Sequence, residues 1–339
     1  LSSTLPYLVA FHILTDVYLA LPKPDDNFLA DFETYGFNAR LWELYLFACF
    51  KEQGCRVLQD YPSPDFEIEA GQHRAFIEAV TANPRGPRTL KLQQTQHPPV
   101  DTLERVSGDM AARFAKTLRS KLQRKYSEQP HVQNHPFALA IADFSGGGTM
   151  IWSREALIAY LFGETANVVH TSNGLKAVRL ELGQLIGHPM ITAGLFKDPD
   201  MAGLSAIIFS NAGTLPKFQR MAIQAEFSHG LVSARRKGNQ WDTTPGALKP
   251  IPFELDTRSD EYKVLCGGKE FWSFEMEVFH NPKATNPIPH ELLPAARHWF
   301  DKDGELWTSS CFEHQILNSG TIFKLSDPAL NKPADDQGH

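Results

Sequence analysis

Three isolated carboxylates near the start of the chain have the residue types and spacing for chemistry. Asp65 stands in Pro64-Asp65-Phe66-Glu67-Ile68, and Glu78 in Phe76-Ile77-Glu78-Ala79-Val80-Thr81. Glu43 stands among Leu41, Trp42, Leu44 and Tyr45. A carboxylate among apolar neighbours is costly to bury unless it is paired, hydrogen-bonded or bound to a metal. Two carboxylates brought close repel, and something must relieve that repulsion. A hard divalent cation with oxygen ligands does so, and Mg²⁺ keeps waters beside few carboxylates. Such an ion activates water and offsets the charge of a phosphoryl group. Each residue also has an ordinary reading. Glu43 can pair with Arg40, three residues earlier on a helix. Asp65, Glu67 and Glu69 alternate with Phe66 and Ile68, as on an edge strand with a wet acidic face. Glu78 shares its face with Phe76 and Val80, which makes solvent a poorer explanation.

The elements that must position these residues follow from periodicity and punctuation. A helix is expected over 37–53, with Gly54 as its stop. Strands follow at 55–60, 65–69 and 74–82, the last two joined by a turn at Ala70-Gly71-Gln72. A polar loop runs from Asn83 to Pro99, then a long helix covers 101–128. Its apolar stripe is Met110, Phe114, Leu118 and Leu122; Lys121 and Lys125, four apart, share a face bordering that stripe. Residues 137–142 form a continuous apolar strand of the kind buried on both faces. A helix over 153–162 opens on Ser153 as N-cap and stops at Gly163. Further elements are a helix at 5–20, strands at 204–210 and 271–279, and a helix at 216–226 with Pro216 in its first turn.

The succession helix, three strands, helix, strand over 37–144 resembles the PD-(D/E)XK nuclease superfamily, the restriction-endonuclease-like core. Pro64-Asp65 corresponds to that family's Pro-Asp pair. Glu78-Ala79-Val80 corresponds to its (D/E)-x-K tripeptide at the acidic position, and Glu43 to a first-helix glutamate found in many members. The resemblance implies an α/β fold, a mixed central sheet flanked by helices, with a C-terminal α+β extension. It implies Mg²⁺ or Mn²⁺ held by Asp65 and Glu78, with a backbone carbonyl of Ala79 or Val80 joining, and Glu43 as a further ligand or as the group that orients a water. It implies hydrolysis of phosphodiester bonds, DNA ahead of RNA. Val80 stands where the family places a lysine that helps position or activate water. Either a lysine arrives from elsewhere, Lys121 first and Lys125 second, or the fold is kept without activity. In the second case the chain serves as a nucleic-acid-binding or protein-interaction module.

The boundaries expected are an N-terminal helical segment at 1–36, the core at 37–163, the extension at 164–327 and a mobile tail at 328–339. A net charge of −6 excludes a uniformly basic surface, so phosphate contacts must come from local groups. Arg119 and Arg124 on the long helix, and Arg235-Arg236-Lys237 with Trp241 nearby, are candidates for nucleic-acid contact; the latter patch is also what an exposed loop looks like. A homodimer is compatible with this reading. The four cysteines form no CxxC pair, which argues against a zinc knuckle and suits a reducing cytoplasm. No 18-residue apolar run marks a membrane span, and Leu1–Leu21, with Asp16 and His12, lacks the basic start of a signal peptide. Gly146-Gly147-Gly148 lacks the spacing of a phosphate-binding loop and reads as a connector. His131 and His135 sit in a Pro-bounded loop and do not suggest a metal pair. No Gly-x-Ser-x-Gly elbow supports a serine hydrolase, and no motif supports a small-molecule enzyme in the C-terminal half.

Overall fold

The structure is a computed structural model, and it describes residues 5–83, 102–144, 152–171, 174–228, 230–244 and 247–325. The loop expected at 83–99, apart from Asn83, lies outside the described residues, as do Gly146-Gly147-Gly148 and the tail from 328. The contacts divide the chain into two compact units: residues 22–213 with 275–311, and residues 1–21 with 214–274 and 312–339. These divisions differ from boundaries at 36 and 163, because strands from beyond residue 164 enter the core sheet.

The unit that carries the three carboxylates is built on one eight-stranded mixed sheet. Helix α1 (Phe37–Glu52) leads into β1 (Arg56–Leu58), β2 (Phe66–Ala70) and β3 (His73–Ala82). Helix α2 (Ala111–Leu122) precedes β4 (Phe137–Asp143), and α3 (Ser153–Phe162) follows it. The sheet is completed by β5 (Ala206–Phe209), β6 (Glu277–His280), β7 (Arg297–Lys302) and β8 (Glu305–Ser309). Spatial order equals chain order from β1 to β8. The first three strands are antiparallel; β3, β4 and β5 run parallel; β6 runs against β5 and parallel to β7. The chain is thus α/β with helices on a mixed sheet, as the pattern of elements predicts. Two hairpins, Glu164–Glu181 and Gln184–Thr192, had no clear sequence signal.

The two faces of the sheet are covered differently. Phe76, Val80, Leu139 and Ile141 pack against Phe114 and Leu118 of α2 and Leu157 and Leu161 of α3. On α1, Trp42 is fully buried and donates its indole N–H to the Ala140 carbonyl at 2.9 Å. Tyr45 stacks on Trp42 with ring centroids 5.4 Å apart, and its hydroxyl meets Ser210 Oγ at 3.1 Å.

Several expected elements are altered for local reasons. The helix expected over 101–128 comes in pieces: Thr102–Glu104, a π-helical turn Arg105–Met110, then α2. Gly108 sits in the π turn, where a Cβ would lie 2.7 Å from the Ile186 carbonyl. The helix ends at Leu122 because Lys125 adopts the left-handed conformation at φ 54°, and a 3₁₀ turn, Tyr126–Glu128, follows. Ser153 does not cap α3; its hydroxyl donates to Asp143 Oδ2 at 2.8 Å. The strand expected over 271–279 begins as a 3₁₀ turn, Trp272–Glu275, with Phe271 and Phe274 packed on Phe312.

In the second unit, helix Leu5–Leu19 packs on helix Leu215–Gln224. A three-stranded antiparallel sheet places Val232–Gln240 between Ile251–Asp256 and Ile316–Leu325. Among the described residues no helix is long and apolar enough to cross a membrane.

Trp42→Phe removes both volume and the indole bond to Ala140. The expected cost is about 2–3 kcal/mol, read as a lower urea midpoint with an unchanged slope.

Candidate functional site

The site begins with a mismatch in strand length. The antiparallel ladder between β2 and β3 ends at the pair Phe66–Ile77. On its other side β3 stays paired with β4 as far as Ala82. The edge of β3 beyond Ile77 therefore has no backbone partner on β2. Asp65, just outside β2, fills the gap: its Oδ2 accepts the Ala79 N–H at 2.7 Å. A strand residue sends its N–H and C=O to the same edge, so the Ala79 carbonyl faces this gap as well. Val80 is out of step. Phe76 N–H donates to Pro136 and the Ala82 carbonyl accepts from Phe144, so the even positions of β3 face β4. The Val80 carbonyl therefore belongs to the ladder with β4, and of the two carbonyls expected only that of Ala79 faces the gap. The Val80 side chain is buried in the core and supplies no charge.

Glu78 projects from the face of β3 that meets α2. Lys121 Nζ donates to Glu78 Oε1 at 2.6 Å, so the helix brings a lysine to the place where Val80 provides none. Tyr126 also donates to Oε1, at 2.6 Å, and Arg124 donates to the Tyr126 hydroxyl at 3.2 Å. Glu78 Oε2 is buried without a hydrogen-bond partner. Sequence reasoning missed Tyr126, because a helix running to 128 hides the turn that presents it. The same loop steadies the residues before Asp65. Gln129 donates to Ser63 Oγ at 3.2 Å, and His131 donates to the Ser63 carbonyl at 2.9 Å while stacking on Tyr61 at 3.8 Å.

Burial, reinforced by the negative charges of Glu78 and Glu43, raises the Asp65 carboxyl to about 8; the Ala79 N–H and Lys121 oppose the rise. Burial also raises Glu43, against the pull of Arg40. Glu43 does not join Asp65 and Glu78 as a ligand. It is clamped by Arg40, whose Nη1 lies 3.0 Å from its Oε2. The same guanidinium holds Asp31 at 2.6 Å and Asp25 at 3.1 Å. Among the described residues no group of three His, Cys, Asp or Glu side chains is placed to hold a metal ion together. A set of two carboxylates and one carbonyl remains: Asp65, the unpartnered oxygen of Glu78 and the Ala79 carbonyl. These are oxygen donors, the type that a hard cation takes. Beside it lies a cavity of about 570 Å³ lined by Arg40, Glu43, Asp65, Ala79, Lys116 and Lys121 among others.

The other expected residues lie elsewhere. Lys125 pairs with Glu128 at 2.9 Å and is largely exposed, turned from Glu78 by the left-handed backbone. Arg119 donates to the Tyr160 hydroxyl at 3.0 Å. Arg235, Arg236 and Lys237 lie on the strand Val232–Gln240, not on a loop. Arg235 and Lys237 flank Glu254 at 3.6 and 3.3 Å, while Arg236 is 2% exposed and cannot reach a nucleic acid.

Compared with protein-family models, curated proteins and solved structures, the chain shows no significant match.

The raised pKa of Asp65 has a stability consequence. Between its ordinary 3.8 and about 8 the folded chain holds a proton that the unfolded chain releases, so stability falls as pH rises through that window. Asp65→Asn cannot ionise and keeps an oxygen for the Ala79 N–H. Its urea midpoint should match wild type near pH 4 and exceed it increasingly towards pH 8. A pH-independent gap would contradict the burial of this charge.

Proposed function

We propose that this chain is a metal-dependent nuclease of the PD-(D/E)XK type, acting on phosphodiester bonds, DNA ahead of RNA. The observation that carries the reading is Lys121 Nζ at 2.6 Å from Glu78. It puts a cation beside the acidic pair from a helix, where the strand position holds Val80. The order helix, three antiparallel strands, helix, parallel strand supports the same reading.

Asp65, Glu78 and the Ala79 carbonyl would hold Mg²⁺ or Mn²⁺. When bound, the ion would neutralise phosphoryl charge and acidify a water. Lys121 holds its ammonium at the cavity wall, where it can orient the attacking water or stabilise developing negative charge. Tyr126 and Lys121 fix one oxygen of Glu78 and leave the other for the ion. Lys116 lines the cavity, placed to meet a phosphate oxygen of a strand, whereas Arg40 is committed to Asp25, Asp31 and Glu43. Cys49, Cys55 and Cys266 are buried and in no disulfide, which suits a cytoplasmic setting; that setting is part of the proposal, as is a homodimer.

One observation favours a binding module instead. Arg40 already occupies Glu43, and two donors already occupy Glu78 Oε1. Cleavage assays on duplex DNA, single-stranded DNA and RNA with Mg²⁺, Mn²⁺ or chelator separate the readings. The nuclease reading expects metal-dependent cleavage that falls by about 100-fold or more in Asp65→Ala, Glu78→Ala and Lys121→Met. Lys125→Met should cleave like wild type. Equal activity in Asp65→Ala and Glu78→Ala would remove this site, and binding without cleavage would favour the module.

A further inference from the structure

The unit formed by 1–21, 214–274 and 312–339 contains a second cavity, about 510 Å³ in volume. Its wall carries Arg220, Arg258, Lys263 and Lys269 against Glu226 and Glu270. Glu270 is fully committed. Its Oε1 accepts from Lys217 at 2.7 Å and Arg220 at 2.9 Å, and its Oε2 from Tyr262 at 2.6 Å and Arg220 at 3.0 Å. Although burial opposes ionisation, Arg220 and Lys217 hold its carboxyl well below the ordinary range, so it stays charged. Gln224 pins its backbone through both the N–H and the carbonyl. Without counting Arg236, two buried cations, Lys217 and Arg220, face this one carboxylate.

Buried positive charge in surplus is costly unless an anion completes it. Arg220 spends its Nε and one N–H from each terminal nitrogen on Glu270 and Thr321, and two of its five N–H donors stay uncommitted. Lys269 stands at the mouth, its ammonium 5.2 Å from the Phe271 ring. Thr257 lines the same cavity, and its Oγ1 is buried without a hydrogen-bond partner. A buried hydroxyl left unpaired is rare and marks a place for an acceptor. Gly230 and Gly268, with φ of 77° and 117°, keep the rim free of side chains where a Cβ would meet nothing within 4 Å.

We propose that this cavity binds a phosphoryl group, with Arg220 and Lys269 supplying charge and Thr257 a hydroxyl donor. Its volume accommodates a mononucleotide or the end of a strand. The cavity and the acidic pair belong to different units, and binding here needs no cleavage to be observed.

The test is calorimetric titration of the full chain in chelator at fixed ionic strength. The probes are inorganic phosphate, thymidine monophosphate, thymidine, and a short oligothymidylate with and without a 5′-phosphate. Saturable binding of the phosphorylated probes is expected, with none for thymidine. Lys269→Ala and Thr257→Val, both changes at the cavity wall, should each weaken binding by about tenfold. Tighter binding of the 5′-phosphorylated oligonucleotide than of phosphate would assign the cavity to a nucleic-acid strand, and equal binding to free phosphate or a nucleotide. No saturation up to about 10 mM of any phosphorylated probe, or binding undiminished in both variants, would overturn the proposal.

Discussion

The site depends on β3 outrunning β2. Once the ladder ends at Phe66–Ile77, the Ala79 N–H needs a partner inside a packed sheet edge. Leaving it unpaired would cost about 1–3 kcal/mol. The Asp65 carboxylate supplies the bond, and that brings a second acid into the field of Glu78. Everything else serves this junction. Pro64 and Asp65 stand just before the first residue of β2, α2 delivers Lys121, and the turn after α2 delivers Tyr126. The loop 129–131 holds Ser63 in place.

Other buried carboxylates show what a purely structural solution looks like here. Glu277 has both oxygens bonded, to Arg154 at 2.7 and 2.8 Å and to Trp299 at 2.7 Å. Glu270 likewise has both oxygens satisfied. Glu78 has one oxygen with two donors and the other with none. Glu67 and Glu155 also keep a buried unpartnered oxygen, but neither bears on Asp65. The acid beside Glu155 is Glu277, already bonded to Arg154 and Trp299. What distinguishes Glu78 is the Asp65 carboxyl beside it, raised to about 8 by burial and the charges of Glu78 and Glu43. Such a pair lowers stability at neutral pH, and a fold tolerates that cost most often at functional sites.

Much of this was legible in the sequence, where local rules dominate. The helix Phe37–Glu52 follows from its apolar face and Gly54, and the strands around Asp65 and Glu78 from alternation and the turn at Gly71. Lys121 was readable as a stripe-edge lysine. Lys125 stood second to it, because periodicity continues through Gln123-Arg124-Lys125 with no glycine to mark the left-handed residue. Arg236 looked like surface because three basic residues in a row suggest a loop; in a strand the middle one points inward. Glu43 followed its ordinary reading and paired with Arg40. Tyr126, and the choice of the Ala79 over the Val80 carbonyl, depend on strand pairing and turn geometry that no short window carries.

On the reading proposed above, Asp65 and Glu78 form a cation site, and burial keeps Asp65 protonated in the metal-free chain. Ligands must shed their protons to bind a metal. Titrating Mn²⁺ into the chain at pH 7 in buffers of different ionisation enthalpy counts the protons released. The account predicts a site that releases about one proton per ion, with the proton lost and the affinity sharply reduced in Asp65→Asn. Mn²⁺ binding that releases no proton, or that persists unchanged in Asp65→Asn, would contradict it.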